Sequence, residues 1–145
     1  MNHSVMHRLY HPDLGILLIR IALGAIFIAH GQMKLASMPM AIGFFGQLGF
    51  APWVAYLVVY TELIGGLLLV LGLFARYAGI ALAIDMIVAI VKVHLPHGFM
   101  GQGGYEFPLL LVAGSLAVVL MGSGKYSLTK ATPLCRECEV GMPKI

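Results

Sequence analysis

The sequence predicts an all-α polytopic membrane protein, an antiparallel bundle of four transmembrane helices with both termini on one side. Three observations carry this. Hydrophobic residues make up 60% of the chain and charged residues 10%, with a mean hydropathy of +0.94. A soluble domain averages about 25% charged residues, so this surface could not be covered with polar groups in water. The apolar residues also fall in long runs. At about 20 residues per span, four spans consume roughly 80 residues, leaving short loops and two tails in a chain of 145. Finally, the basic residues fall mostly on one side of those runs.

Residues 1–13 form a polar start carrying His3, His7, Arg8 and His11. The membrane domain follows over 14–128, and 129–145 form a polar tail with Cys135 and Cys138. The first span is placed at 14–34. A cleaved signal peptide is the alternative reading, but Arg20 interrupts the run, which extends through His30 toward Lys34 without a small-residue cleavage site. Gly43, Gly46 and Gly49 mark a linker whose aromatics suit a half-buried interfacial segment. Pro52 fits the first residue of the next helix, where its missing N–H costs nothing. Trp53 and Tyr56 then fall in the headgroup belt. The second span, 53–74, and the third, 77–95, are joined at Ala75-Arg76, which demands a hairpin. A glycine-rich loop over 96–104 leads to a short fourth span at 107–121, flanked by Tyr105 and Tyr126 and ended by Gly122 and Gly124.

Four spans put Arg8, Arg76, Lys125, Lys130, Arg136 and Lys144 on one side and leave Lys34, with Lys92 near a span end, on the other. The positive-inside rule then places both termini in the cytoplasm, and the chain in the cell inner (plasma) membrane in contact with lipid. The net charge of +3 is a topology signal beside anionic lipid. Without a basic run or an aromatic-interleaved basic patch, no nucleic-acid partner is expected.

An ionisable group at the bilayer centre costs at least about 2.5–3.5 kcal/mol, so it must face the interior, pair, or serve function. Arg20, His30, Lys34, Glu62, Asp85, Lys92, His94 and Glu106 fall under this rule. Arg20 and Asp85 lie at similar depth and could form an ion pair that only fixes helix register. Lys34, taken alone, is better explained as snorkelling to the interface. Glu62 is the hardest to dismiss, deep and without a partner in its own helix. It either pairs with a Lys or His of another helix or is held neutral by desolvation. Gly24, Gly31, Gly65, Gly66 and Gly72 stand beside these groups. Close helix packing explains each of them better than space for a ligand.

His3, His7 and His11 recur every four residues, but spacing alone does not make a coordination shell, and no metal is expected. Cys135-Arg-Glu-Cys138 is a lone C-x-x-C, read as incidental thiols of a tail, with a dithiol role the alternative. Haem ligation by His30 and His94 has nothing else behind it and is not expected. No Ser-His-Asp series, P-loop, G-x-G-x-x-G or HExxH occurs.

An ordered series of motifs resembles the DoxX family. It comprises Arg20-x3-Gly24, His30-Gly31-x2-Lys34, Glu62-x2-Gly65-Gly66, Gly72-x3-Arg76, His94-Leu-Pro-His97-Gly98-Phe99, Gly103-Gly104-Tyr105-Glu106 and Gly122-x-Gly124-x2-Ser127-Leu128. The resemblance covers roughly 14–128 and implies a small four-helix membrane protein. The family's namesake is similar to a subunit associated with quinone-linked sulfur oxidation, and other members are linked to membrane oxidoreductase complexes in oxidative stress. The resemblance therefore implies a membrane subunit of a redox system, with quinone as cofactor and a membrane or redox protein as partner. By the same token Glu62, His30 and His94 become the catalytic candidates. His30, Lys34, Glu62, His94 and Glu106 become the cofactor-binding set. Asp85 and the Cys135–Ile145 tail depart from the family pattern. The alternatives are a structural or assembly subunit whose charges organise helices, and a small-solute transporter, for which four helices would need a homo-oligomer.

Overall fold

In the computed structural model residues 11–131 are described, and every regular element among them is helical. Helix α1 spans Pro12–Ala36, α2 Met38–Gln47, α3 Pro52–Leu71, α4 Ala75–Ala89 and α5 Glu106–Met121. A π-helical turn, Ile90–His94, and a 3-10 turn, Leu95–His97, prolong α4, and a last 3-10 turn covers Leu128–Ala131. His3, His7, Cys135 and Cys138 lie outside the described residues.

Three of these helices, α1, α3 and α4 with its extension to His97, are long and apolar enough to cross a membrane, and α5 is a shorter apolar helix. Many large apolar side chains are left on the outside, such as Leu18, Leu57, Ile84, Leu110 and Leu120. Membrane-spanning helices with such an exterior contact lipid. The inner faces supply a core of Ile16, Leu23, Phe27, Leu69, Leu82, Leu111 and Val118.

Helix starts follow local chemistry. Prolines sit in the first turns of α1, α2 and α3, where an N–H would have no intrahelical partner. Asp13 adds a carboxylate at the positive end of α1 and also accepts the Lys125 backbone N–H at 2.8 Å. At its other end α3 stops on Gly72, which takes the left-handed conformation with φ 71°.

The sequence read 43–52 as a linker, and there the structure differs. Residues 38–47 are helical, because Met38, Ala41, Ile42 and Phe45 form a stripe at helical spacing that turns inward while Gly43 and Gly46 face open space. The tightest packing joins α1 to α3. A Cβ built on Gly24 would lie 2.6 Å from the Gly66 carbonyl oxygen, and one on Gly66 2.8 Å from that of Gly24. Packing is thus the role these glycines play.

Arg20 requires a correction as well. It is 1% exposed, and its guanidinium does not meet Asp85. Nε donates to the Leu69 carbonyl at 2.9 Å, while the terminal nitrogens reach the carbonyls of Ser123, Val70 at 3.4 Å and Tyr126 at 3.1 Å. Leu69 and Val70 belong to the last turn of α3, where carbonyls run short of helical donors and the Leu69 oxygen also takes the Gly72 N–H at 3.2 Å, while Ser123 and Tyr126 belong to the segment leaving α5. A planar fork of donors serves both at once, so Arg20 ties two elements together by backbone.

Candidate functional site

Near the C-terminal end of α1, Lys34 extends its ammonium to Glu62 Oε1 at 2.6 Å. Glu62 is 1% exposed and the Lys34 side chain 26%, so the pair joins a buried carboxylate to a cation at the edge of the protein. The α1–α3 seam explains the meeting. Gly31 packs against Leu63, so three residues further on α1 Lys34 comes level with Tyr60, about 3 Å along the axis from Glu62. Helical side chains lean toward their own N-termini, which on two opposed helices points these two toward each other. Lys34 is therefore a partner, and the snorkelling reading is set aside.

The pair forms part of the wall of a cavity of about 530 Å³. Its apolar lining comes from Phe27 on α1, Met86 and Ala89 on α4, and Phe107 and Leu111 on α5. Helix α2 and the turn after it add Phe44, Phe45, Leu48 and Phe50. His30, Lys34, Glu62, His94 and Glu106 all line this one cavity, so the structure brings the whole sequence-derived set together. It adds Asp85 and Lys92, which that set omitted. Asp85 lies within electrostatic reach of both Glu62 and Lys34.

The polar groups differ in how they are held. Glu62 Oε2 and Asp85 Oδ2 are buried without a hydrogen-bond partner among the described residues. A buried unsatisfied oxygen costs roughly 1–3 kcal/mol, so two on one cavity wall are an unusual expense. His94 Nδ1 lies 2.7 Å from the Gly103 carbonyl oxygen. A carbonyl can only accept, so Nδ1 carries the hydrogen, which leaves Nε2 of a neutral ring as an acceptor. His30 is exposed and stacks on Phe107 with centroids 6.2 Å apart. The Lys92 ammonium sits 5.7 Å from the centroid of Phe50, linking the α4 extension to the aromatics beside α2. Glu106 opens the first turn of α5 at the helix's positive end.

The π-helical turn shapes this wall. One wide turn at 90–94 rotates the following side chains relative to a regular helix, and such insertions concentrate at functional sites. Lys92, Val93 and His94 all belong to it and all line the cavity. The seven ionisable groups thus converge from α1, α3, α4 and α5 on a mostly apolar space. Sites for small molecules and cofactors have this composition and size.

Comparison with known proteins places the chain in context. The model of the DoxX family matches residues 15–95, a stretch that holds His30, Lys34, Glu62, Asp85, Lys92 and His94 but not Glu106. A Bacillus subtilis protein named "Putative oxidoreductase CatD" is 40% identical over 106 residues, 73% of this chain and 79% of that one. "Uncharacterized membrane protein Rv3486" of Mycobacterium tuberculosis is 30% identical over 139 residues, 85% of each chain. An uncharacterized protein of Haemophilus influenzae is 31% identical over 110 residues, 75% of each. No solved structure matches.

Proposed function

The chain belongs to the DoxX family, and from that premise we propose that it is an integral membrane subunit of a redox system that holds a quinone-type head group in the cavity around Lys34 and Glu62. The observation that carries this is Glu62 itself. Its carboxylate is buried in the wall of a mostly apolar cavity, one oxygen rests on Lys34, and the other has no hydrogen-bond partner among the described residues. The relative named as an oxidoreductase supports the redox side of the reading.

A bound quinone would supply two-electron, two-proton chemistry. The chain's own residues then divide the work. Phe27, Phe107 and Leu111 offer apolar faces to a flat ring and keep water from it. Lys34 orients Glu62 by holding Oε1. Glu62, His30 and His94 are the groups on this wall able to hold or pass a proton at a head-group oxygen, and Glu106 carries a carboxylate at the cavity's loop side. Electrons must come from or go to a partner protein, since the protein's part is binding, orientation and electrostatics. The same reading places four helices antiparallel across the inner membrane, with both termini cytoplasmic and the cavity toward the outer face.

The test is the quinone and lipid content of detergent-purified protein by mass spectrometry, comparing wild type with Glu62→Gln and His30→Ala. Quinone retained by wild type and lost from well-folded variants supports the reading and locates the site. If no form carries or rebinds quinone the reading falls, and a partner pull-down then separates an assembly subunit from a transporter.

A further inference from the structure

Helices α3 and α4 touch deep in the bundle, where a Cβ built on Gly65 would lie 3.0 Å from the Leu82 side chain. Toward the cavity end they part, and Val54 and Val58 on α3 and Val88 on α4 line the cavity that lies between them. The gap is bridged again further along, where the Lys92 ammonium sits 5.7 Å from the Phe50 centroid. From Leu82 to Lys92 the helix climbs roughly 15 Å, so the two contacts bound an opening of that order. Its edge runs out onto the outer surface of the bundle. Val88 lines the cavity and is still 43% exposed. It stands one turn from Ile84 and beside Val91, both on the exposed row of α4, as Val58 stands beside the exposed Leu57 on α3. Both helices are long and apolar enough to cross a membrane, so that row faces hydrocarbon. On the opposite flank α1 and α5 are drawn together, with Leu23 against Gly114 and His30 stacked on Phe107.

We infer that the ligand enters sideways from the bilayer through this opening between α3 and α4 and leaves its hydrocarbon tail there, so that the site takes tailed, membrane-dissolved quinones rather than small water-soluble aromatics. This rests on the reading of the cavity as a quinone-type site and adds the class of ligand and its route. The edges of the opening are valines, and the rows beside them are Leu57, Ile84 and Val91. A tail leaving between Val58 and Val88 therefore meets apolar surface along its whole length and never crosses water, the arrangement the hydrophobic effect favours. The water side of the cavity is built otherwise. Lys92, His94 and Glu106 stand there, and Phe44, Phe45 and Phe50 reach across it from α2 and the turn after it. A tail directed that way would leave apolar surface in water among charged groups.

The test uses the full chain in lipid nanodiscs with a decyl-chain benzoquinone that carries a diazirine on its tail close to the ring. After irradiation, peptide mass mapping locates the labels, and an excess of unlabelled decyl-benzoquinone identifies those that belong to a site. Competed labels are expected on Val58, Val88 and their exposed neighbours Leu57 and Ile84. The tailless parent benzoquinone at the same total concentration should fail to compete. Competed labels at His30 and Phe107 or in the loop 96–104, with the α3–α4 opening clean, overturn the inference while leaving the quinone site standing. Equal competition by the tailless parent overturns it as well. Labelling that nothing competes removes the inference together with the reading beneath it. A second arm plugs the opening. Val88→Trp should weaken binding of decyl-benzoquinone, read by partition between protein-loaded and empty discs, by about tenfold or more, the scale of overpacking a filled site. Ile84→Trp, one turn away on the exposed row, should leave it unchanged. Unaltered binding in a well-folded Val88→Trp, or equal losses in the two variants, overturns the inference. Should Val88→Trp fail to fold, the wild-type labelling decides alone.

Discussion

Lys34 and Glu62 are unequal partners, and the inequality is measurable. Glu62 is 1% exposed, whereas the Lys34 side chain keeps about a quarter of its surface (26%) at the edge of the protein. Removing Lys34 strands a buried carboxylate, and breaking a buried pair in this way costs about 3–5 kcal/mol. Removing the charge on Glu62 leaves a lysine whose long stem lets the ammonium swing toward water or headgroups, and a glutamine oxygen can still accept from it, so the loss is nearer 1 kcal/mol. Thermal unfolding in detergent should therefore show Lys34→Met well below Glu62→Gln. The double variant Lys34→Met with Glu62→Met should recover much of the loss. Equal melting temperatures for the two single variants would mean that the pair is not what holds Glu62 in place. Much of this chemistry was legible in the sequence, because any carboxylate at mid-span needs a partner. The choice of Lys34 was not, because it depends on the Gly31–Leu63 contact that sets the α1–α3 register. The same gap misassigned Asp85. Depth alone made Arg20 its neighbour, whereas helix rotation turns Asp85 into the cavity and Arg20 toward backbone carbonyls.

Among the elements, glycines of identical composition do opposite work. Gly24 lies where α1 and α3 touch, and a Cβ there would fall 2.5 Å from Val70 Cγ2 as well as against the Gly66 carbonyl oxygen. The side chain could turn away but the backbone oxygen could not, so Gly24→Ala must push the helices apart, at about 1–3 kcal/mol by the usual cost of overpacking. Gly43 and Gly46 in α2 have nothing within 4 Å of an added Cβ. Alanine at either should leave stability unchanged or raise it by up to about 1 kcal/mol through helix propensity. Melting temperatures of the three variants test the contrast, and a harmless Gly24→Ala would refute the seam. Arg20 makes the complementary prediction. In Arg20→Lys one ammonium cannot reach both the end of α3 and the segment at 123–126, so protection of the amides around 123–129 should fall in hydrogen exchange even where the protein stays folded. The apolar runs were readable because three of them, α1, α3 and α4 with its extension, are long and apolar enough to cross a membrane, and the shorter α5 is as apolar. Helix α2 escaped because its glycines outweighed, on inspection, a stripe of Met38, Ala41, Ile42 and Phe45 that periodicity alone would have found. The π-helical turn leaves no such trace in sequence, since one inserted residue alters the rotation of a helix without altering its composition.

For the whole molecule, the distribution of charge predicts orientation and, through it, access to the site. Contacts gather the start of α1, the end of α3, the start of α4 and the end of α5 at one end of the protein. Asp13 meets Lys125, Arg20 meets the end of α3, and a Cβ on Gly122 would lie 3.2 Å from the Arg76 Nε. By sequence position that end holds six of the nine Lys and Arg residues, with Arg20 inside its span, whereas the cavity end holds Lys34 and Lys92. Lys and Arg counted over short loops set orientation, so the cavity end should face outward. A C-terminal green fluorescent protein fusion should then fluoresce, and alkaline phosphatase inserted at Gly101 should be active. Lys92 and Lys125 sharpen the test, because both are exposed lysines at opposite ends of the same fold. A membrane-impermeant acylating reagent applied to intact cells, opened to it at the outer membrane where one is present, should modify Lys92 and spare Lys125 until the inner membrane is breached. Peptide mass mapping reads both sites in one sample. The reverse pattern would invert the protein and turn the cavity toward the cytoplasm, where a partner redox protein would have to meet it from the other side. Equal labelling of both would mean that six charges against two do not suffice to fix one orientation in so short a chain.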